Sequence, residues 1–477
     1  MFGIILQINN LSKYAGDDNR VKLPRIIIAG EHKPGFVPPS ILLIAALKNS
    51  RVSMRVFYCG FNPVYVRLLQ SVMEEEITVF NLKTCSNIKT VKTLFEASAQ
   101  QDRLNIIVCD LGARGDTVKD SFTDTTASDI AFALDCSIIL CCYAASHPRP
   151  IVKIIGDICT ALESQNPIRI DGAVFVNPFE QRSFQLVENN IGMNFRWSTY
   201  GYIPSELEPP IPTVESLSSD GTYTRGTFAL RAIANRIAKM QGQIDYLALE
   251  AIGKYNQEWQ PTGGIARFQK TTVPNVAIVD DLALKGEGNN AELLFKSLGC
   301  TVSRVKVKNM FSQNFDMYYF PHGLGYVAMN SFNSMEKFST LLRTAIISKK
   351  IVFVNGATGL VFGEKFLKPD GLEETGLGIL PVTGSYNSIA SFDKPTHVIC
   401  ASTKTDGLFL QGDEKISAYM LPEINLESNS KSMRCTLATT GNFAGNTGYE
   451  DHKTILTGVC MDLWSNIDIV RRLFYAP

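Results

Sequence analysis

Two hydrophobic patterns alternate along the first half of the 477-residue chain. Short, nearly uninterrupted apolar runs such as SIILCCY and GAVFVN indicate strands buried on both faces, and the longer stretches between them indicate crossover helices. A helical stretch is expected at 226–255. The pattern predicts a doubly wound α/β sheet with strands at 25–30, 53–59, 105–110, 137–142, 172–177 and 198–203.

A polar segment containing Pro and Gly, residues 256–274, interrupts this alternation and is typical of an interdomain linker. A second α/β pattern follows, with predicted strands in NVAIVDD, TVSRVKV, DMYYFPHG and KKIVFVNG and predicted helices at 289–298 and 334–348. After Gly378 the pattern becomes strand-rich and irregular. We therefore expect an N-terminal extension (1–23), a first α/β domain (24–240), a helix and linker (241–274) and a second α/β domain (275–477).

The amino-acid composition argues against several classes of partner and against a metal centre. The 46 basic and 46 acidic side chains cancel, which argues against nucleic acid or an anionic membrane. No apolar run reaches the roughly 18–20 residues that span a bilayer. The 11 cysteines lack a CxxC pair and the 5 histidines are scattered, which argues against a zinc or iron–sulfur centre. We expect a protein of the reducing cytoplasm that holds no metal.

The segment IIIAGEHKPGFVPP has the outline of a phosphate-binding loop. Gly30 and Gly35 keep the turn tight, and Lys33 supplies a positive charge. Val37 and Pro38 stand where a working loop has Lys and then Ser or Thr, and the two prolines remove N–H donors. The segment is either a degenerate nucleotide site or an ordinary strand–turn–helix junction.

Two acidic residues lie where such sheets carry chemistry. Asp110 ends the strand in VCDLGARGD, a position that often organises a metal ion. Asp129 lies in the first turns of the helix in DTTASDIAFAL. Acidic residues at these positions also cap turns and helices, so each has a structural alternative.

The second half contains the outline of a nucleophile elbow. KKIVFVNGATGLVF predicts a strand, a sharp turn and a helix, but Ala357 at the expected tip has no nucleophilic atom and Thr358 comes one position late. The turn FPHGLGYV places His322 and Gly323 among the small residues of an oxyanion or ligand loop. A histidine there is more often structural than a ligand.

These segments, in this order, resemble the cobyrinic acid a,c-diamide synthases and their glutamine-dependent tetrapyrrole amidase relatives. IIIAGEHKPGFVPP is similar to their IAGTxSGVGKTT loop, VFYCGFNPVY to their KxGPDxID turn, MYYFPHGLGY to LYLGGGYPE, and FVNGATGLVF to AECGGLMYL. The resemblance implies a P-loop-like, dethiobiotin-synthetase-like parallel-sheet domain followed by a class I glutamine-amidotransferase-like α/β domain. The implied family activity is ATP-dependent amidation of a tetrapyrrole carboxylate in cobalamin-type biosynthesis.

The departures from the family fall on its functional residues. In the loop, the family's Lys and Thr are replaced by Val37 and Pro38. In the second motif, its Lys and two acids are replaced by Tyr58, Asn62 and Tyr65. Its nucleophilic Cys is replaced by Ala357, and its two C-terminal His are replaced by Met461 and Leu463. Losing a nucleophile together with its general base removes the covalent route.

Three hypotheses follow, and a homodimer is compatible with each. The first is a non-catalytic homologue, needing no cofactor, that binds a tetrapyrrole-like ligand or a protein partner such as an active paralogue in the interdomain cleft. The second is amidation of a tetrapyrrole with ammonia or glutamine, using MgATP at a degenerate site of Gly30, Lys33, Gly35 and Asp110. The third is a structural or assembly protein without a small ligand. The cleft residues expected under the first hypothesis are Tyr58, Asn62, Tyr65, Asp129, His322 and Gly323.

Overall fold

The computed structural model describes residues 20–32, 35–60, 62–81, 87–113, 126–144, 148–177, 181–204, 207, 210–211, 232, 235–236, 244–255, 258–268, 273–335, 337–386, 396–403, 407–420, 424–428 and 431–475.

The first half contains nine strands and seven helices within these residues. The strands are β1 (Val21–Lys22), β2 (Arg25–His32), β3 (Met54–Cys59), β4 (Thr78–Phe80), β5 (Leu104–Ala113), β6 (Ser137–Tyr143), β7 (Ile170–Asn177), β8 (Ser198–Pro204) and β9 (Glu258–Trp259). The helices are α1 (Pro39–Asn49), α2 (Pro63–Met73), α3 (Ile88–Ser98), α4 (Thr126–Leu134), α5 (Pro148–Glu163), α6 (Gln181–Asn194) and α7 (Tyr246–Tyr255).

The predicted doubly wound sheet is confirmed. Seven parallel strands lie in the order β4-β3-β5-β2-β6-β7-β8, and all six predicted strands are among them. The short edge strand β4 was not predicted. Of the helix expected at 226–255, the structure describes α7 and a few isolated residues before it.

Helix α1 explains why the phosphate-loop outline keeps its fold without its chemistry. Its sequence is apolar on all sides, and every side chain from Pro39 to Leu47 is buried, as expected for a helix packed on more than one face. Pro38 is the N-cap and Pro39 opens the first turn, where the missing N–H breaks no helical hydrogen bond.

The second half has fifteen strands and four helices in its described residues. The strands are β10 (Asn275–Val279), β11 (Thr301–Val305), β12 (Met317–Phe320), β13 (Ile351–Val354), β14 (Lys365–Leu367), β15 (Glu373–Thr375), β16 (Val382–Tyr386), β17 (Thr396–Ser402), β18 (Lys415–Met420), β19 (Ile424–Ser428), β20 (Met433–Leu437), β21 (Phe443–Thr447), β22 (Tyr449–Asp451), β23 (Thr454–Leu456) and β24 (Cys460–Met461). The helices are α8 (Asn290–Ser297), α9 (Gly325–Asn333), α10 (Phe338–Ile347) and α11 (Ile467–Tyr475). Short 3-10 helices cover Val307–Asn309, Gly356–Phe362 and Trp464–Asn466.

Three sheets form this half. Strands β11-β10-β12-β13-β23-β22 make a mixed sheet that is parallel except for β22, and it contains the four predicted strands. The strand-rich region after Gly378 contributes two strands of a four-stranded sheet, β15-β14-β16-β19, and all of a five-stranded sheet, β21-β20-β17-β18-β24. Helix α9 was not predicted.

The edge strand β4 is covered by the loop that precedes α8. The side-chain amide of Asn290 accepts a hydrogen bond from the Val79 N–H (3.0 Å) and donates one to the Val79 C=O (2.6 Å). Thr78 Oγ1 donates to Asn289 Oδ1 at 2.9 Å. Gly288, at φ +58°, fits closely, because a Cβ there would lie 2.0 Å from a backbone carbonyl of the first half. The two halves are therefore joined by hydrogen bonds that satisfy an otherwise open strand edge.

A cluster of charges reinforces this junction. Lys285, whose side chain is 7% exposed, pairs with Asp280 (2.6 Å) in its own half and with Glu76 (3.0 Å) in the other. Arg304 approaches Glu76 at 3.3 Å and Glu292 at 2.5 Å. Because each cation has at least two carboxylates beside it, the buried charge of Lys285 is compensated.

The predicted linker is attached to the first half. Strand β9 pairs antiparallel with β1, so residues on either side of the domain form a two-stranded ribbon. Trp259 is buried, donates from its indole N–H to Glu96 Oε1 (2.5 Å) and lies under the Arg25 guanidinium. Within the part of the chain that the structure describes, no helix combines the length and apolarity needed to cross a membrane.

We expect Asn290→Ala to weaken the junction, because it leaves the buried N–H and C=O of Val79 without partners. Each unsatisfied group costs ~1–3 kcal/mol, so calorimetry should show a clear fall in the unfolding temperature. Asn194→Ala is the matched control, since its amide donates to the Asn190 C=O at an exposed position and its loss should stay within about 0.5 kcal/mol. Equal effects of the two substitutions would contradict the role assigned to Asn290.

Candidate functional site

A small cleft lies where the two halves meet, at the carboxyl ends of strands from both principal sheets, which is the usual position of sites in α/β folds. Its volume is about 30 Å³, roughly twice the ~10–15 Å³ that a single buried water needs. It therefore accommodates a group of a few atoms. The lining residues are Gly60, Val79, Asn81, Gly286, Glu287, Asn290, His322, Cys460, Met461 and Asp462.

Glu287 is the centre of a hydrogen-bond network at this cleft. Its Oε1 accepts from the His322 backbone N–H at 2.7 Å, and its Oε2 accepts from the Tyr319 hydroxyl at 2.8 Å. Asn355 Nδ2 donates to the same Tyr319 hydroxyl at 3.2 Å. Burial raises the pKa of Glu287 to about 7, although the hydrogen bonds from His322, Tyr319 and Asn355 act in the opposite direction.

His322 lines the cleft, and its imidazole carries a hydrogen-bond donor without a partner in the described part of the chain. Its Nδ1 accepts from the Ala357 N–H at 3.2 Å, which places the proton of the neutral ring on Nε2. Burial lowers the pKa of His322 to about 4, so the ring is neutral at pH 7. Nε2 is buried and has no hydrogen-bond partner among the described residues. A ligand group with an acceptor would satisfy it.

The same imidazole fills the space at the elbow. Gly356 has φ +60°, and a Cβ there would lie 2.4 Å from His322 Nδ1. The strained position of the turn is thus Gly356, one residue before the Ala357 tip expected from the sequence, because the left-handed backbone falls on the glycine. Thr358 supplies no nucleophile either, since its hydroxyl donates to the Pro321 C=O at 2.6 Å.

The C-terminal segment reaches the elbow and brings apolar side chains to it. Asn355 Oδ1 accepts from the Met461 N–H at 3.1 Å, and Asn355 Nδ2 donates to the Met461 C=O at 3.0 Å. Met461 and Leu463 are both buried. Cys460 lines the cleft, but burial raises the pKa of its thiol well above the usual value, which opposes thiolate formation at neutral pH.

The phosphate-loop outline contains a buried carboxylate. Glu31, 5% exposed, accepts a hydrogen bond from the Tyr143 N–H at 2.8 Å, at the end of the neighbouring strand. A carboxylate at this position repels phosphate. Val37 is buried in the core and Pro38 caps α1, so neither side chain offers a cation or a hydroxyl, and Pro38 has no N–H to donate.

The two loop glycines have structural explanations. A Cβ on Gly30 would lie 2.8 Å from the Cβ of Ser40, so close packing against α1 requires the glycine. Gly35 adopts φ +82°, and its C=O accepts from the Ile211 N–H at 2.9 Å. Lys33 lies outside the described residues.

Asp110 is hydrogen-bonded to a tyrosine. Tyr58, fully buried, donates from its hydroxyl to Asp110 Oδ2 at 2.7 Å, and the ring of Tyr65 packs edge-on against it at 6.3 Å. Asn62 is the N-cap of α2, accepting from the Val64 N–H at 3.0 Å. These residues occupy the region where the resemblance implies phosphate and carboxylate binding.

Of the six cleft residues expected from the sequence, His322 lines the cleft and the other five do not. Asp129 is exposed and accepts from Asn166 Nδ2 at 2.8 Å, as a surface helix residue. Gly323 is required for packing, because a Cβ there would lie 2.2 Å from the Ala283 C=O. Tyr58, Asn62 and Tyr65 have the roles given above.

Sequence reasoning missed Glu287, although a signal was present. The segment KGEGNN places one acidic side chain between glycines, after a strand and just before a helix. Because Gly286 and Gly288 have no side chains, the segment packs closely against His322 and the residue before β4, and the Glu287 carboxylate accepts a hydrogen bond from the His322 N–H. Within the described ranges, no group of three or more His, Cys, Asp and Glu side chains is arranged to hold a metal ion.

We expect Gly356→Ala to lose at least ~3 kcal/mol of unfolding free energy, because the methyl group meets His322 and the backbone is left-handed. Gly412→Ala is the matched control: its φ is +52° and nothing lies within 4 Å, so it isolates the conformational cost, ~1 kcal/mol. Adding His322→Ala to Gly356→Ala should cost less than the sum of the two single losses. Similar losses for Gly356→Ala and Gly412→Ala in denaturant unfolding would refute the steric explanation.

Glu287→Gln should become more stable relative to the wild type as pH rises. The carboxyl titrates near pH 4.5 when unfolded and near 7 when folded, so its ionisation removes stability between these values, roughly 3–4 kcal/mol in all. His322, titrating near pH 6.5 unfolded and near 4 folded, adds stability as pH rises through that range and masks the loss in the wild type. Urea unfolding from pH 4.5 to 8 measures the difference; a pH-independent difference would count against a raised pKa.

No protein-family model matches the chain, and neither does any curated protein. Among solved structures, a glutamine amidotransferase is similar at 10% identity over 42% of this chain and 98% of that one, with a TM-score of 0.30. A Thermotoga maritima glutamine amidotransferase has 7% identity, 43% and 82% coverage and a TM-score of 0.29. The MinD cell division protein of Aquifex aeolicus has 11% identity, 46% and 99% coverage and a TM-score of 0.24. TM-scores this low establish neither the fold nor the function of the chain.

Proposed function

We propose that this chain is a non-catalytic homologue of the cobyrinic acid a,c-diamide synthases that binds a ligand in the cleft between its halves. The observation that carries the proposal is the position of His322. Its imidazole lies where a side chain at Gly356 would have to be, and the elbow offers Ala357 and a hydrogen-bonded Thr358 in place of a nucleophile.

Two carboxylates in the first half argue against phosphoryl transfer. Glu31 places a buried carboxylate in the loop that would face phosphate, and Asp110 is bound to the Tyr58 hydroxyl. Amide formation from a carboxylate requires activation by a nucleotide, so ammonia could replace glutamine but could not replace this site. The second hypothesis, MgATP-dependent amidation, therefore has less support than binding.

The chemistry of the cleft selects the group that enters it. His322 Nε2–H requires an acceptor, and Glu287 beside it can take a donor. An anion is disfavoured, because Asp462 and Glu287 both line the cleft. A primary amide matches, with its C=O toward His322 and its NH₂ toward Glu287. Because the cleft has only about 30 Å³, a tetrapyrrole or a partner protein would insert one such substituent and remain outside.

A titration with paired corrinoids tests the proposal. Cobyrinic acid a,c-diamide, which carries amide substituents, should bind at least about tenfold more tightly than cobyrinic acid, a difference of ~1.4 kcal/mol. Gly286→Ala should abolish this preference, since its Cβ would lie 2.9 Å from His322 Cδ2. Gly192→Ala is the control, because nothing lies within 4 Å of that position. Absorbance and calorimetry report the binding.

Three outcomes separate the hypotheses. Preferential binding of the amide form, without release of ADP when MgATP and glutamine are added, supports the proposal. Stoichiometric ADP formation with amidation of cobyrinic acid would overturn it in favour of an enzyme. Binding of neither corrinoid would overturn it in favour of a structural or assembly protein.

A further inference from the structure

Two cysteines face each other across neighbouring strands of the five-stranded sheet. Cys400 on β17 and Cys435 on β20 are direct partners in an antiparallel ladder. Their sulfur atoms are 2.6 Å apart, and both side chains are fully buried. Directly opposed residues in such a ladder have Cα atoms about 4.5–5.5 Å apart, inside the 4.4–6.8 Å range that a disulfide requires. No backbone movement is needed to join them.

We propose that Cys400 and Cys435 are a thiol oxidation site, which closes to a cross-strand disulfide by exchange with a low-molecular-weight disulfide of the glutathione type. One cysteine sulfur attacks the small disulfide, forming a mixed disulfide and releasing one small thiol. The second cysteine sulfur displaces the other small thiol and forms the protein S–S bond. The two cysteine protons end on the two released thiols, and the two electrons lost by the protein reduce the reagent.

The ladder next to Cys435 provides the route for reagent. The register between β20 and the edge strand β21 shifts between Cys435 and Thr436, and Cys435 is paired there with Gly445. A bulge at an edge strand leaves the local hydrogen bonding incomplete. Cys435 therefore lies beside the edge strand that opens most easily, whereas Cys400 lies one strand further in, between β18 and β20. Cys435 is thus the sulfur expected to form the mixed disulfide.

The bond would stiffen the sheet that carries part of the cleft. Strand β24, Cys460–Met461, belongs to the same sheet through its pairing with β18. A disulfide that closes the 34 residues between positions 400 and 435 restricts the unfolded chain, and a rise of roughly 5–15 °C in Tm is expected. This inference is independent of the proposed ligand, because neither cysteine lines the cleft.

Peptide mass spectrometry of the full chain tests the proposal. Reduced protein is equilibrated with oxidised glutathione, both in its native state and during refolding from urea, and is then alkylated in denaturant without reductant. We expect a linked peptide containing Cys400 and Cys435, with the remaining cysteines alkylated, and a higher Tm that reductant reverses. Cys435→Ala should abolish both the link and the oxidation-dependent rise in Tm, and Cys300→Ala should leave both unchanged.

If the native protein excludes oxidised glutathione, the refolding experiment still tests whether the two cysteines form the disulfide, because both are accessible in the unfolded chain. Alkylation of both cysteines after refolding in oxidised glutathione would overturn the proposal. A link from either cysteine to a different partner would overturn it as well. Glutathione attached to Cys435 in the Cys400→Ala variant would confirm which sulfur is attacked first.

Discussion

The pairing of Asn290 with the backbone of Val79 is the interaction on which the site depends. It satisfies the open edge of the parallel sheet with groups from the other half, and so fixes the distance and register between the two. The cleft is built on this register, since Gly60, Val79 and Asn81 come from one half and its other lining residues from the second. Without this junction, Glu287 and His322 would line an open surface.

His322 has two structural roles at the cleft. Its ring accepts the Ala357 N–H and so supports the left-handed turn at Gly356, while its backbone N–H donates to Glu287. Burial keeps the ring neutral and the carboxyl at Glu287 easy to protonate. The outcome is a rigid polar cluster in which the imidazole is neutral at pH 7 and the carboxyl changes its protonation near that pH.

The sequence was sufficient for elements that depend on local pattern, and insufficient where distant segments meet. Strands such as β3, β6 and β13 followed from apolar runs, because strands buried on both faces carry that signal within themselves. Strand β4 has only three residues, and its stability comes from Asn289 and Asn290, more than 200 residues away. The site shows the same division: the turn after β13 was visible as a local pattern, whereas the position of Glu287 and the left-handed backbone at Gly356 depend on how distant segments meet.

The close approach of His322 to Gly356 has a consequence for how the elbow tolerates substitution. A side chain introduced at Gly356 would collide with the ring, and truncating the ring first would remove the support of the turn before anything replaced it. Each single substitution is therefore harmful on its own. The two positions can change only together, so the contact makes them a coupled pair.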